Sequence, residues 1–164
     1  EMVRQARLIA SWGSNVYVKI PVTDTQGVST TGVVRELAAS GVHQNVTALM
    51  TVAQVEATSA ALADGPPAII SVFAGRIADT GRDPIPIMRE ALAAMAPYPQ
   101  LELLWASPRE VLNVRQADDI GVHIITVTPD LLKKLDLFGR DLADFSLDTV
   151  RMFHRDAAAA GYML

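Results

Sequence analysis

The stretch Asn45–Ala74, NVTALMTVAQVEATSAALADGPPAIISVFA, decides the fold class. Val46 to Met50 are apolar except for Thr47 and read as a short buried strand. Thr51 is a hydroxyl N-cap for a helix running to about Ala63, and Asp64-Gly65-Pro66-Pro67 ends it, since neither glycine nor proline continues a helix readily. Ala68 to Ala74 is again almost continuously apolar. Two such strands separated by a helix form a βαβ unit, and strands of this composition belong to a parallel sheet covered on both faces.

The same alternation continues outward in both directions. Upstream, Glu1 to Trp12 reads as the end of an amphipathic helix with Gly13 as its stop. Val16 to Val22 is strand-like, and Val28 to Ser40 is helical with Gly41 behind it. Downstream come a helix Pro86 to Met95, strands Leu101 to Ala106 and Val122 to Val127 separated by a helix opening near Pro108, and two closing helices at about Pro129 to Leu135 and Ser146 to Ala159. The class is therefore α/β. Lys19, Thr47, Ser71, Ser107 and Thr126 are spaced 28, 24, 36 and 19 residues apart, close to the roughly 30 residues per βα unit of a (β/α)8 TIM barrel. Five strands do not close an eight-stranded barrel. The sequence thus suits either an open doubly wound sheet or a barrel whose N-terminal part precedes Glu1, and the start inside a helix favours the barrel. No domain boundary is visible, so 1–164 is expected to be a single domain.

Composition narrows the function. The chain has 164 residues, half of them hydrophobic, and 14 basic against 18 acidic side chains give a net charge of −4. Without a lysine or arginine cluster there is no footprint for nucleic acid or an anionic membrane, although a small phosphorylated molecule needs only a few placed cations. There is no cysteine, which removes thiol catalysis, and the three histidines are isolated, so no metal site is expected. The uncharged run Leu37 to Val55 is of membrane length but is interrupted by Ser40, Gly41, His43, Gln44, Asn45 and Gln54. With no signal-peptide pattern at Glu1, a cytoplasmic location is expected.

Several residues could carry chemistry. Lys19 sits inside the apolar run VYVKIPV, and an amine in a low-dielectric strand keeps a neutral, nucleophilic fraction suited to attack on a ketone. The plainer reading is a strand-end lysine reaching to water. Asn45 and Thr47, two apart, share one face of a strand and could hold a substrate hydroxyl or a water, or could simply form a polar strand entrance. In SVFAGRIAD, Ser71 and Phe73 share a face with Arg76 just beyond the strand; WASPRE repeats the arrangement with Ser107 and Arg109. Two arginines and a serine at strand C-termini beside a helix N-terminus suit a phosphate, while each arginine alone suits a surface ion pair.

With those residues aligned, the sequence resembles the transaldolase family, including the related fructose-6-phosphate aldolases. The matching pieces are VKIPVT, GVHQNVTALMTVAQ, ISVFAGRIAD, WASPRE, GVHIITVTPDLL and FSLDTVRMFHRDAAAAGY, in family order. The resemblance implies a class I (β/α)8 barrel that uses neither metal nor organic cofactor. It implies Lys19 as the Schiff-base lysine, Asn45 and Thr47 as its polar neighbours, Ser71 in the substrate pocket, and Arg76, Ser107 and Arg109 around a sugar phosphate. Phe73 stands where the transaldolase branch tends to carry Phe and the aldolase branch Tyr. The family's first three strands have no counterpart ahead of Glu1, so the chain is expected to supply the last five βα units with a closing C-terminal helix. Pro108 departs from the family's usual residue in the phosphate loop. The expected function is transfer of a dihydroxyacetone unit between sugar phosphates, by a homo-oligomer. The alternatives are aldolase-type cleavage of fructose 6-phosphate and a silent sugar-phosphate-binding or assembly protein.

Overall fold

A computed structural model describes residues 1–162. They fall into two compact units, 1–128 and 129–162. The first opens with α1 (Met2–Ala10) and continues through β1 (Val18–Pro21), α2 (Thr31–Ala39), β2 (Gln44–Leu49), α3 (Val52–Leu62) and β3 (Ala68–Val72). It then runs through α4 (Ala74–Asp79), α5 (Pro84–Met95), β4 (Leu101–Trp105), α6 (Leu112–Asp119) and β5 (Ile124–Ile125).

The five strands are all parallel and lie in the order β1-β2-β3-β4-β5. This order separates the two architectures left open by the sequence. A doubly wound sheet reverses its strand order at a switch point, whereas a barrel adds each strand beside the last. The sheet is an arc of barrel type. Because parallel crossovers keep one hand, sequential order puts every connecting helix on the same side. The core follows from that: Val18, Ile20, Val46, Ile70, Leu103 and Trp105 pack against Val34 and Leu37 of α2, Val55 and Leu62 of α3, Met88 and Met95 of α5 and Ala117 of α6. Coverage of both faces, expected from composition, is not what the described residues show. On the other face Lys19, Pro21 and Glu102 are exposed.

Local chemistry sets the boundaries. Thr51 Oγ1 accepts the Gln54 N–H, and Gln54 Oε1 accepts the Met50 and Thr51 N–H groups, a full capping box at the start of α3. Asp83 caps α5, with Pro84 at the first helical position. α2 closes on Gly41 at φ 75°, whose N–H reaches Ala38 O. β5 is shorter than the expected Val122–Val127 because His123 replaces backbone pairing there: its Nδ1 accepts the Leu103 N–H at 3.0 Å. α4 was not anticipated, since six residues are too few to display a helical period.

The second unit contains α7 (Pro129–Leu132), a 3-10 turn (Lys133–Leu137) and α8 (Leu142–Ala159). Asp141 caps α8 by accepting the Ala143 and Asp144 N–H groups. α8 is amphipathic yet buries none of its residues. Among the described residues no helix is long and apolar enough to cross a membrane.

Candidate active site

Strand register brings the first group of residues together. Lys19 is the direct partner of Asn45, and Pro21 of Thr47. Side chains alternate along a strand, so Val18 and Ile20 enter the core while Lys19 takes the opposite face. Asn45 and Thr47 share that face, and Ser71 joins them from β3 by donating its hydroxyl to Asn45 Oδ1 at 2.6 Å. With Oδ1 occupied, the Asn45 amide keeps its N–H donors for another partner. Ser71 is buried, Asn45 half-buried and Lys19 exposed. The shielded lysine inferred from sequence is therefore not present among the described residues: the apolar neighbours that suggested shielding face the helices, and Lys19 does not.

Thr47 Oγ1 is buried and makes no hydrogen bond. An unpaired buried hydroxyl costs about 1–3 kcal/mol, so its presence on this face calls for a use other than stability. The next residue, Ala48, has φ 67°, and the β2–β3 register shifts between Val46 and Leu49. Left-handed backbone is unfavourable for any side chain with a Cβ. The only other non-glycine with positive φ among the described residues is Ser107, at 58°. Both lie at strand C-terminal ends beside the candidate residues, where strain commonly accompanies function.

The second group forms where the β3 and β4 ends meet. Gly75 N–H donates to Ala106 O, and a Cβ on Gly75 would overlap the carbonyl oxygen of Ser107. Only glycine permits that approach, and the contact ties the segment carrying Phe73 and Arg76 to the one carrying Ser107 and Arg109. The Arg76 guanidinium lies over the Phe73 ring at 5.3 Å, a cation–π distance that leaves its edges available. Arg109 makes the surface ion pair that the sequence left open beside phosphate binding. Its Nε donates to Asp79 Oδ1 at 3.0 Å and its Nη2 to Asp79 Oδ2. Asn113 Oδ1 braces the same loop by accepting the Arg109 and Glu110 N–H groups. Sequence reasoning missed Gly75, Asp79 and Asn113; the glycine within SVFAGR was the available signal for a close approach.

The isolated histidine nearest this face has a structural use. His43 Nδ1 lies 2.9 Å from Pro67 O, and its ring packs against Tyr17. No group of three or more His, Cys, Asp or Glu side chains among the described residues is placed to hold a metal ion.

A sequential parallel arc with a lysine, an amide and hydroxyls along one face, and two arginines just past the C-terminal ends of β3 and β4, is the half-open frame of a TIM-barrel-type aldolase fold. The chain belongs to the transaldolase/fructose-6-phosphate aldolase family, whose profile it matches over residues 1–163. It is 37% identical over 136 residues to "Probable transaldolase" of Streptococcus equi subsp. zooepidemicus, covering 82% of this chain and 60% of that protein. "Probable transaldolase 2" of Listeria monocytogenes is 35% identical over 136 residues, covering 82% and 59%, and "Probable transaldolase" of Streptococcus agalactiae is 35% identical over 150 residues, covering 91% and 65%. The chain thus spans about 60% of the length of these relatives.

Proposed function

We propose that this chain carries the Schiff-base centre of a transaldolase that moves a dihydroxyacetone unit between sugar phosphates, with 1–164 acting as one functional domain. The observation supporting this most strongly is the row in which Lys19 stands opposite Asn45 in register and Asn45 is held by Ser71. The lysine amine attacks the C2 ketone of a ketose phosphate, and loss of water gives an iminium. Deprotonation of the C4 hydroxyl breaks the C3–C4 bond, the bonding pair enters the iminium as an enamine, and an aldose phosphate departs. The enamine then adds to the aldehyde of an acceptor, and hydrolysis frees the product and Lys19. Thr47, with its unspent hydroxyl, and a positioned water assist the proton transfers, while the free Asn45 amide N–H groups hold a substrate hydroxyl. Arg76, Ser107 and Arg109 hold the phosphate. In an eight-stranded barrel the face bearing Lys19 would be covered, which would shield the amine during reaction.

Phe73, the branch-distinguishing residue, supports transfer over simple cleavage. Product analysis separates them. A ketose phosphate supplied alone should yield no free dihydroxyacetone, and adding an aldose phosphate acceptor should yield the exchanged ketose. Free dihydroxyacetone without acceptor would establish the aldolase reading; no product in either case would leave a sugar-phosphate-binding protein.

Thr47→Val keeps the β-branched shape and removes only the hydroxyl. Stability is expected to hold or rise, by up to about 1–3 kcal/mol, while turnover falls roughly 100-fold. Denaturant melts and steady-state rates check both. Lost stability with full turnover would make the hydroxyl structural.

The proposed setting is a cytoplasmic homo-oligomer using neither nucleic acid, membrane nor cofactor. α8 supports oligomerisation because it leaves Phe145, Val150 and Phe153 exposed on a helix with no buried residue.

A further inference from the structure

The Arg109–Asp79 pair joins the end of α4 to the loop after β4. The two side chains are each about half exposed, 50% and 50%, and exposed pairs contribute little to folding. Yet the contact is a two-point fork, with Nε and Nη2 on separate carboxylate oxygens. A guanidinium has five N–H donors in one plane, so the fork consumes one edge and leaves one Nη1 and one Nη2 donor side by side on the adjoining edge. Asp79 ends α4 three residues after Arg76, which places the two on neighbouring positions of one helical turn. Asn113 fixes the Arg109 backbone, and the Gly75–Ser107 contact fixes the loop against α4. Arg109 is thus held at its backbone and along one edge of its head group, with a second edge free beside the helix that carries Arg76.

The geometry points to Asp79 as a positioning residue that presents the free edge of Arg109 to the phosphate of the sugar substrate, and so sets the preference for phosphorylated over unphosphorylated sugars. This rests on the sugar-phosphate reading above. Asp79 touches no reacting atom and acts through Arg109. Its charge lowers the local positive charge by one, but the orientation gained outweighs that loss because a phosphate is recognised through two parallel N–H···O bonds.

The test is calorimetric titration of fructose 6-phosphate into the unmodified protein, Asp79→Asn, Arg109→Ala and the double variant. It is paired with borohydride trapping of Lys19 by dihydroxyacetone, which carries no phosphate. Asp79→Asn is expected to weaken fructose 6-phosphate binding roughly three- to tenfold, the scale of an exposed but bidentate pair, and to leave the dihydroxyacetone adduct unchanged. In turnover the KM for the phosphorylated ketose rises by the same factor with kcat unaltered. In the Arg109→Ala background the Asp79 substitution should add nothing. Tighter binding by Asp79→Asn, an equal loss in the Arg109→Ala background, or a parallel loss of the adduct would each overturn the proposal. Should Asp79→Asn not fold, Arg109→Lys keeps the charge, cannot make the fork, and must show the same selective loss. Failure of the unmodified protein to form any Lys19 adduct would count against the Schiff-base reading alone, because the affinity comparison still reports on Asp79.

Discussion

Lys19→Met is expected to abolish turnover, by on the order of a thousandfold or more, and to leave fructose 6-phosphate binding within about threefold of the unmodified protein. Methionine matches the lysine stem in length and lacks only the nucleophile. The side chain is exposed, and Val18 and Ile20, which hold β1 in the core, are untouched, so stability should change by no more than about 0.5 kcal/mol. Lys19→Arg sharpens the test. It retains a positive charge opposite Asn45, so a purely electrostatic role for Lys19 would survive the change, but a guanidinium does not form an imine under these conditions. Both variants should be equally inactive. Appreciable turnover by Lys19→Arg would mean that the residue binds and does not react.

Gly75→Ala should be the most damaging single methyl group in the chain. The added carbon would meet the carbonyl oxygen and carbon of Ser107, which are backbone atoms with no rotamer to give. Ser107 already sits at φ 58°, so the loop has little freedom to retreat. A loss of roughly 3 kcal/mol or more is expected, seen as an early denaturant midpoint, and any folded fraction should bind fructose 6-phosphate poorly because the two arginine segments are forced apart. Gly32→Ala supplies the contrast. In α2 a Cβ at Gly32 meets nothing within 4 Å, so the same substitution should stabilise by about 1 kcal/mol. Equal effects at the two positions would mean that the Gly75–Ser107 approach is not tight.

These two glycines also mark what sequence can and cannot convey. The βα rhythm was legible because apolar runs, a Thr51 cap and Gly-Pro-Pro breakers are local signals, and the period-2 spacing of Asn45 and Thr47 fixed their shared face before any contact was known. Strand order was not legible: it depends on which neighbour each strand chooses, and spacing alone suited two architectures. Lys19 was correctly placed on a strand, but its neighbours' hydrophobicity described the face it does not occupy. Asp79 was invisible as the partner of Arg109 because the pair spans 30 residues and forms only where two loops meet. The left-handed backbone at Ala48 and Ser107 left no mark either, since neither residue type announces it.

Every step proposed for transfer begins with a covalent bond between the Lys19 amine and a keto sugar. Borohydride reduction in the presence of fructose 6-phosphate, followed by peptide mass mapping, tests it most directly. A reduced three-carbon adduct on Lys19, absent without borohydride, is the expected result; no adduct, or one on Lys133 or Lys134 instead, would rule the imine out.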